Sequence, residues 1–188
     1  MHPRMQELLA FLDEEYAAFR ATANAVPHAD RERQPAEGCW SVAQVVDHVA
    51  RVESVIAGLI ANLVAEARAR DVGTETETGT VVSQAILARA VDRSTKWQAP
   101  DPALPDPHAR FDQASATLDA NHHRVREALT SADGLALGSV QLPHPKLGVL
   151  NVYEWGVAVG GHEARHAAQI REIAATLASV RAGEPSHA

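Results

Sequence analysis

The 188-residue chain carries 17 basic and 24 acidic residues, and its formal net charge of -7 at pH 7 argues against a nucleic-acid-binding protein. Hydrophobic residues make up 46% of the sequence, which excludes a disordered chain and fits one globular domain spanning residues 1–188, with its core at about residues 3–181. No apolar stretch approaches the length of a membrane span, and a single cysteine, Cys39, excludes an internal disulfide. We therefore expect a cytoplasmic protein that binds no membrane.

Four long segments show the periodicity of helices that bury one face. They are predicted at about residues 3–25, 41–70, 112–130 and 151–181. Two of them begin at capping boxes, because Ser41 is followed three residues later by Gln44, and Asn151 by Glu154. The pattern predicts an all-α four-helix bundle.

The second and third predicted helices are separated by about forty residues, far more than the usual connection between bundle helices. This connection contains a polar run at residues 73–80 and a proline-rich run at 99–107, with a short helix predicted within 81–93. It predicts a long crossover that could also form a lid or binding loop. Residues 135–150 are expected to form a shorter ordered loop or a small hairpin.

Two histidines of the fourth predicted helix, His162 and His166, lie on its buried face. The stripe on this face consists of Trp155, Val159, His162, His166, Ile170, Ile173 and Leu177. Burying two imidazoles side by side is costly unless they have partners. A divalent cation is a suitable partner, because ring nitrogens at positions i and i+4 can point at one ion. The alternative is a metal-free bundle in which both rings hydrogen-bond to neighbouring helices.

A third metal ligand would have to come from another helix. His48 is the favoured candidate, because it lies two turns into the second predicted helix, on the inward side with Val45 and Val49. His122, on the inward face of the third predicted helix, is the rival. We interpret His122 as a core or supporting residue rather than a ligand.

The segment HEARH, residues 162–166, also matches the HExxH pattern of zinc peptidases, with Glu163 at the position of the general base. The extended form of that pattern fails, because Gln169 and Glu172 occupy its glycine and histidine positions. Only 22 residues follow His166, so we expect no distant downstream glutamate ligand on a separate helix. A metallopeptidase is therefore the least favoured alternative, and Glu163 stays a candidate both for catalysis and for the metal shell.

Three stretches in a fixed order carry a resemblance to a known family. They are CWSVAQVVDHVARVE (39–53), HPKLGVLNVYEW (144–155) and HEARHAAQI (162–170). Together they resemble the DinB-like/YfiT-like superfamily of metal-dependent enzymes. The resemblance covers nearly the whole chain and implies a four-helix bundle that binds one divalent metal.

Carried over by position, the resemblance assigns the metal ligands to His48, His162 and His166. Some relatives place a glutamate among the ligands. Members of the family include transferases and isomerases that use bacillithiol, mycothiol or glutathione. Gln44 and Gln169 are spaced to support two of these rings, but an ordinary helix role is favoured for both.

The leading expectation is a metal-dependent hydrolase or a low-molecular-weight-thiol S-transferase that acts on a small molecule. Its cofactor would be one divalent transition metal (zinc, nickel, iron or manganese), joined in a transferase by the thiol. The alternative is a non-catalytic metal-binding or stress-response protein. Family analogy also leaves a homodimer open.

Overall fold

The computed structural model describes residues 1–95 and 97–183, and within them the chain forms five α-helices and one β-hairpin. The helices are α1 (Pro3–Ala25), α2 (Val42–Ala69), α3 (Gln84–Val91), α4 (Phe111–Thr130) and α5 (Val152–Gly183). The strands are β1 (Gln141–His144) and β2 (Gly148–Asn151), paired antiparallel. The predicted all-α bundle is confirmed, with its four long helices at the expected places and α3 inside the crossover. The predicted domain extends to residue 188, so its last five residues and residue 96 lie outside the described part.

Both predicted capping boxes are present. The amide of Gln44 donates to the Ser41 hydroxyl at 3.2 Å, and the Ser41 amide donates back to the Gln44 side chain at 2.9 Å. Asn151 and Glu154 exchange the same pair of bonds, at 2.8 and 3.0 Å. Since these bonds satisfy the first N–H groups of α2 and α5, they determine where each helix starts and so which residues face inward.

The long crossover follows from the direction of the helices. Arg68, at the end of α2, donates to the carbonyl of Ser131, just after α4, so α2 and α4 run parallel. Arg171, in the second half of α5, donates to Thr22 near the end of α1, so α1 and α5 are parallel as well. Parallel neighbours require the chain to return along the bundle between them. Residues 70–110 make that return, and α3 packs against α5 on the way.

The apolar core is divided into two clusters. One combines the first halves of α1 and α5 with the second halves of α2 and α4, and the other combines the opposite halves. Between them lie three buried polar residues, Glu53 of α2, His122 of α4 and Glu163 of α5, which we call the polar layer. The helices thus bring ionisable groups to the middle of the bundle, with apolar packing on both sides.

The helix α2 is long and apolar enough to cross a membrane by length and composition, with a mean hydropathy of 1.4 in its best window. The expectation that no stretch of the sequence reaches this length is therefore corrected. Half of that window is buried inside the bundle, and α2 also carries the buried His48 and Glu53. The core helix of a globular protein has the same properties, so α2 is weak evidence for a membrane span.

Candidate metal centre

Three imidazole rings meet at one point of the bundle. His48 comes from α2, and His162 and His166 come from consecutive turns of α5. One ring nitrogen from each lies within 4.8 Å of the other two. His48 and His166 are buried, and His162 is largely buried with a small exposed fraction. The structure therefore brings together the three histidines predicted as ligands, and their donor atoms suit a divalent transition metal.

Two of the rings are fixed by the nitrogen that faces away from the centre. Nδ1 of His48 lies 2.7 Å from the Ala103 carbonyl, and Nδ1 of His166 lies 2.8 Å from the side-chain oxygen of Gln169. Because both oxygens only accept, each Nδ1 carries the hydrogen and each Nε2 keeps its lone pair. Nε2 of His166 faces Nε2 of His162 at 3.0 Å. This tautomer and orientation match metal-ligating histidines, whose outer nitrogen normally donates to a carbonyl or a carboxylate.

Electrostatics keeps the three rings neutral. Burial lowers the pKa of His166 to about 3, and it also lowers the pKa of His48. The pKa of His162 falls well below its usual range, first through burial and then through the proximity of His166 and His48. A histidine binds metal only in its neutral form, so at neutral pH no proton has to leave before the rings can coordinate.

The crossover is anchored beside this centre. The guanidinium of Arg165, on α5 between the two histidines, donates to the backbone carbonyl of Asp92 and stacks on the ring of Trp97 at 4.6 Å. Arg165 therefore ties the crossover to the helix that carries the rings. The hydroxyl of Tyr153, near the start of α5, donates to Glu75 at 2.8 Å.

Two glycines explain how closely other helices approach α5 next to His162. A Cβ added at Gly160 would lie 2.5 Å from the ring of Phe11 in α1. A Cβ added at Gly161 would lie 2.7 Å from the Cβ of Ala90 in α3. Both distances are too short for real side chains, so only glycine allows this contact. The packing holds α1 and α3 against the turn of α5 that presents His162.

Residues 11–170 match the DinB superfamily, which is well over half of the sequence. The chain belongs to the DinB superfamily. A similar protein is the uncharacterized protein YuaE of Bacillus subtilis (strain 168), 26% identical over 142 residues, which cover 75% of this chain and 81% of YuaE. The crystal structure of TT2238, a four-helix bundle protein, is similar with a TM-score of 0.58 and 21% identity, covering 89% of this chain and 98% of TT2238. At that identity the likeness supports the fold alone.

In this DinB superfamily chain the polar layer is a second group of residues that could hold a metal. One nitrogen or oxygen atom from each of Glu53, His122 and Glu163 lies within 4.8 Å of the other two. Glu163 is fully buried and His122 is 6% exposed, and neither belongs to the three-histidine group. The carboxylate of Glu163 lies in the polar layer beside Glu53 and His122. Its catalytic role stays a prediction.

Three contributors to this DinB superfamily site were missed or misjudged from the sequence. Glu53 lies four residues after Val49 and three before Ile56, both buried, so its helical spacing did indicate a carboxylate in the core. Gln169 was given an ordinary helix role, and this is corrected by its hydrogen bond to His166. The carbonyl of Ala103 has no signal in the sequence, because any residue supplies a backbone oxygen there.

Proposed function

We propose that this DinB superfamily protein is a metal-dependent enzyme acting on a small molecule, as a hydrolase or as a low-molecular-weight-thiol S-transferase. His48, His162 and His166 would hold one divalent transition metal, which is zinc, nickel, iron or manganese. The observation that carries the proposal is the convergence of three neutral imidazoles, two of them fixed through Nδ1. Three protein ligands are the usual number in catalytic sites that keep a position open.

A metal bound there would supply a Lewis acid that lowers the pKa of a bound water or thiol. The protein's own residues would keep the rings from turning, through Ala103 and Gln169. The positive charge of Arg165 adds to the lowering of the pKa of His162. The same charge would attract an anionic group of a substrate, such as a thiolate or a carboxylate. This supports a small, negatively charged substrate or cosubstrate.

The predicted role of Glu163 in proton transfer can be separated from metal binding. Burial, with Glu53 next to it, raises the pKa of Glu163 well above its usual range and so favours its protonated form. A proton held there could serve a general acid. The test is a Glu163→Gln variant that retains its histidine-bound metal. Unchanged turnover in this variant would show that Glu163 has no catalytic role.

A non-catalytic metal-binding protein is the second candidate, and the enclosure of the centre favours it. Two of the three rings are only 5% and 7% exposed. A surface cavity of about 580 Å³ lies between α2 and β1, and its lining includes Ser54, Gly58 and Leu142 but none of the three histidines. A structural metal would have a closed shell, and its removal would unfold the bundle without any loss of turnover.

The first test is the metal content of the untagged protein beside a His48→Ala variant. The matched control is His123→Ala, which removes an exposed histidine of α4. We expect close to one metal per chain at the histidine centre in the wild type and the control, and its loss in His48→Ala. Metal retained in full by His48→Ala would contradict the ligand assignment.

The second test measures turnover with and without a thiol. The zinc-loaded protein is assayed with 1-chloro-2,4-dinitrobenzene and glutathione for conjugation, and with small activated esters for hydrolysis. Activity that needs both the metal and glutathione supports a transferase, whereas activity unchanged without thiol supports a hydrolase. Stoichiometric metal with neither activity would favour the non-catalytic alternative.

A further inference from the structure

The polar layer contains five buried atoms without a hydrogen-bond partner among the described residues. They are both carboxylate oxygens of Glu53, both carboxylate oxygens of Glu163, and Nδ1 of His122. Glu53 is 1% exposed and Glu163 is 0% exposed, so bulk water does not reach these groups. An unpartnered ionised group in a protein interior costs several kcal/mol. Their convergence from three helices indicates a ligand between them.

The ring of His122 is held so that its lone pair faces the carboxylates. Nε2 lies 3.3 Å from Asp13, which is itself paired with Arg126, so Nε2 carries the hydrogen and donates it. Tyr16 stacks on the ring with centroids 3.9 Å apart and prevents rotation. Nδ1 then presents its lone pair 3.9 Å from Glu163. A lone pair aimed at an ionised carboxylate is repulsive unless a cation or a proton lies between them. The outer acceptor of His122 orients its ring as Ala103 orients that of His48.

The charge of the group also calls for a cation. When both carboxyl groups are ionised, they and the neutral imidazole carry two negative charges, which a divalent ion would neutralise. Asp13 and Glu15 of α1 add to the negative field at Glu163. Arg126 neutralises Asp13 through its ion pair, whereas within the described part of the chain no arginine forms an ion pair with Glu53 or Glu163.

A shared proton explains the arrangement less completely than a cation does. The carboxyl groups of Glu53 and Glu163 lie within hydrogen-bonding reach of each other, so one proton can bridge them. That proton leaves the lone pair of His122 without a partner. A cation accepts one atom from each of the three side chains. Ligand distances of about 2.0–2.2 Å place the donors of one ion within about 4.4 Å of each other. The three donor atoms all lie within 4.8 Å of one another, so small side-chain rotations bring them inside this limit.

We propose that Glu53, His122 and Glu163 form a second divalent-cation site, separate from the three-histidine centre. Two carboxylates and one imidazole favour a harder ion than three imidazoles do, so the class of ion is manganese(II) or iron(II). The proposal uses none of the histidines assigned to the first centre. It stands even if the proposed enzyme activity fails.

The test compares the metal content of four untagged proteins, which are the wild type, Glu53→Gln, His48→Ala and Glu66→Gln. Glu53→Gln removes one carboxylate of the polar layer and keeps its shape. Glu66→Gln is the matched control, since it removes the same charge from an exposed position of α2. Cells are grown with added Mn²⁺ and Zn²⁺, so that both ions are present while the buried site folds. Metal per chain is then measured by mass spectrometry after desalting.

We expect two metal equivalents in the wild type and in Glu66→Gln, and one each in Glu53→Gln and His48→Ala. Manganese should be the ion lost from Glu53→Gln. Metal content in Glu53→Gln equal to that of the wild type would overturn the second site and leave the histidine centre standing. Loss in Glu53→Gln alone would overturn the histidine centre instead.

A measurement on the wild type guards against a variant that does not fold. Crystals of the manganese-grown protein should show an anomalous scattering peak bounded by Glu53, His122 and Glu163. A peak at the three histidines without one in the polar layer would overturn the proposal.

Discussion

The histidine centre and the polar layer lie in the same bundle, yet they solve the problem of buried polar groups differently. In the histidine centre the ligands are neutral, and without a metal His162 and His166 can still hydrogen-bond to each other at 3.0 Å. In the polar layer Glu53 and Glu163 have only acceptor atoms when ionised, so they cannot satisfy each other. A site built from neutral donors tolerates being empty, whereas one built from carboxylates requires either a proton or a cation.

The largest expected effect is an opposite pH dependence of stability at the two sites in metal-free protein. Burial raises the pKa of Glu53 to about 8, so the folded state binds its proton more tightly than the unfolded chain does. Stability from Glu53 is therefore full below about pH 4.5 and is lost as the pH rises toward 8. His166, with a pKa of about 3, contributes stability that is full above about pH 6.5 and is lost as the pH falls.

Chemical unfolding between pH 4 and pH 8.5, in the presence of a chelator, measures both contributions. The free energy of unfolding of Glu53→Gln relative to wild type should increase by several kcal/mol as the pH rises. That of His166→Gln relative to wild type should increase as the pH falls. If the free energy of unfolding relative to wild type changed with pH by the same slope in both variants, the two sites would not have opposite pH dependences. Added Mn²⁺ should remove the loss at high pH in the wild type and leave the stability of Glu53→Gln unchanged.

A smaller effect is expected from removing the side chain that orients one ring of the histidine centre. Gln169→Ala removes the acceptor for Nδ1 of His166. Removal of an outer partner of this kind lowers metal affinity by about 10- to 100-fold. Zinc affinity is measured by competition with a chromophoric chelator, with the exposed Gln113→Ala as the control. Metal bound in the polar layer should not change. Zinc affinity equal to that of the control would show that Gln169 merely rests against the ring.

The smallest effect is expected at the contact between α3 and α5. In Gly161→Ala the added methyl would lie 2.7 Å from the Cβ of Ala90, which has no rotamer to escape into. Overpacking of about 1–3 kcal/mol competes with a gain of up to about 1 kcal/mol in helix propensity, so we expect a net loss of about 1 kcal/mol. Gly58→Ala on α2, where nothing lies within 4 Å, should stabilise the protein. Thermal unfolding measures both, and a stabilised Gly161→Ala would contradict the close approach.

The helices and the histidine centre could be predicted from local patterns. Helical periodicity and the capping boxes at Ser41 and Asn151 determine the inward face, and His162 and His166 lie on it one turn apart. The parallel arrangement of α2 and α4 was implied only by the length of the connection between them. These features depend on neighbours in the sequence, which is why the sequence shows them.

The polar layer was not recognised, because its members are far apart in the chain. Glu53, His122 and Glu163 come from three helices, and each one alone is compatible with an ordinary buried or surface position. Their convergence depends on which helices are neighbours and in which direction they run. The support of His48 by Ala103 is equally hidden, since it links residues 55 positions apart through a backbone atom.

The hydrogen bond from His48 to Ala103 has a consequence for the crossover itself. If the contact of Ala103 with His48 improves metal affinity by orienting the ring, then the metal must stabilise that contact by the same free energy, because linkage is reciprocal. Loss of the metal would then increase the exchange rate of the backbone amide hydrogens in the crossover. A ligand that lifts the crossover would, for the same reason, loosen the metal.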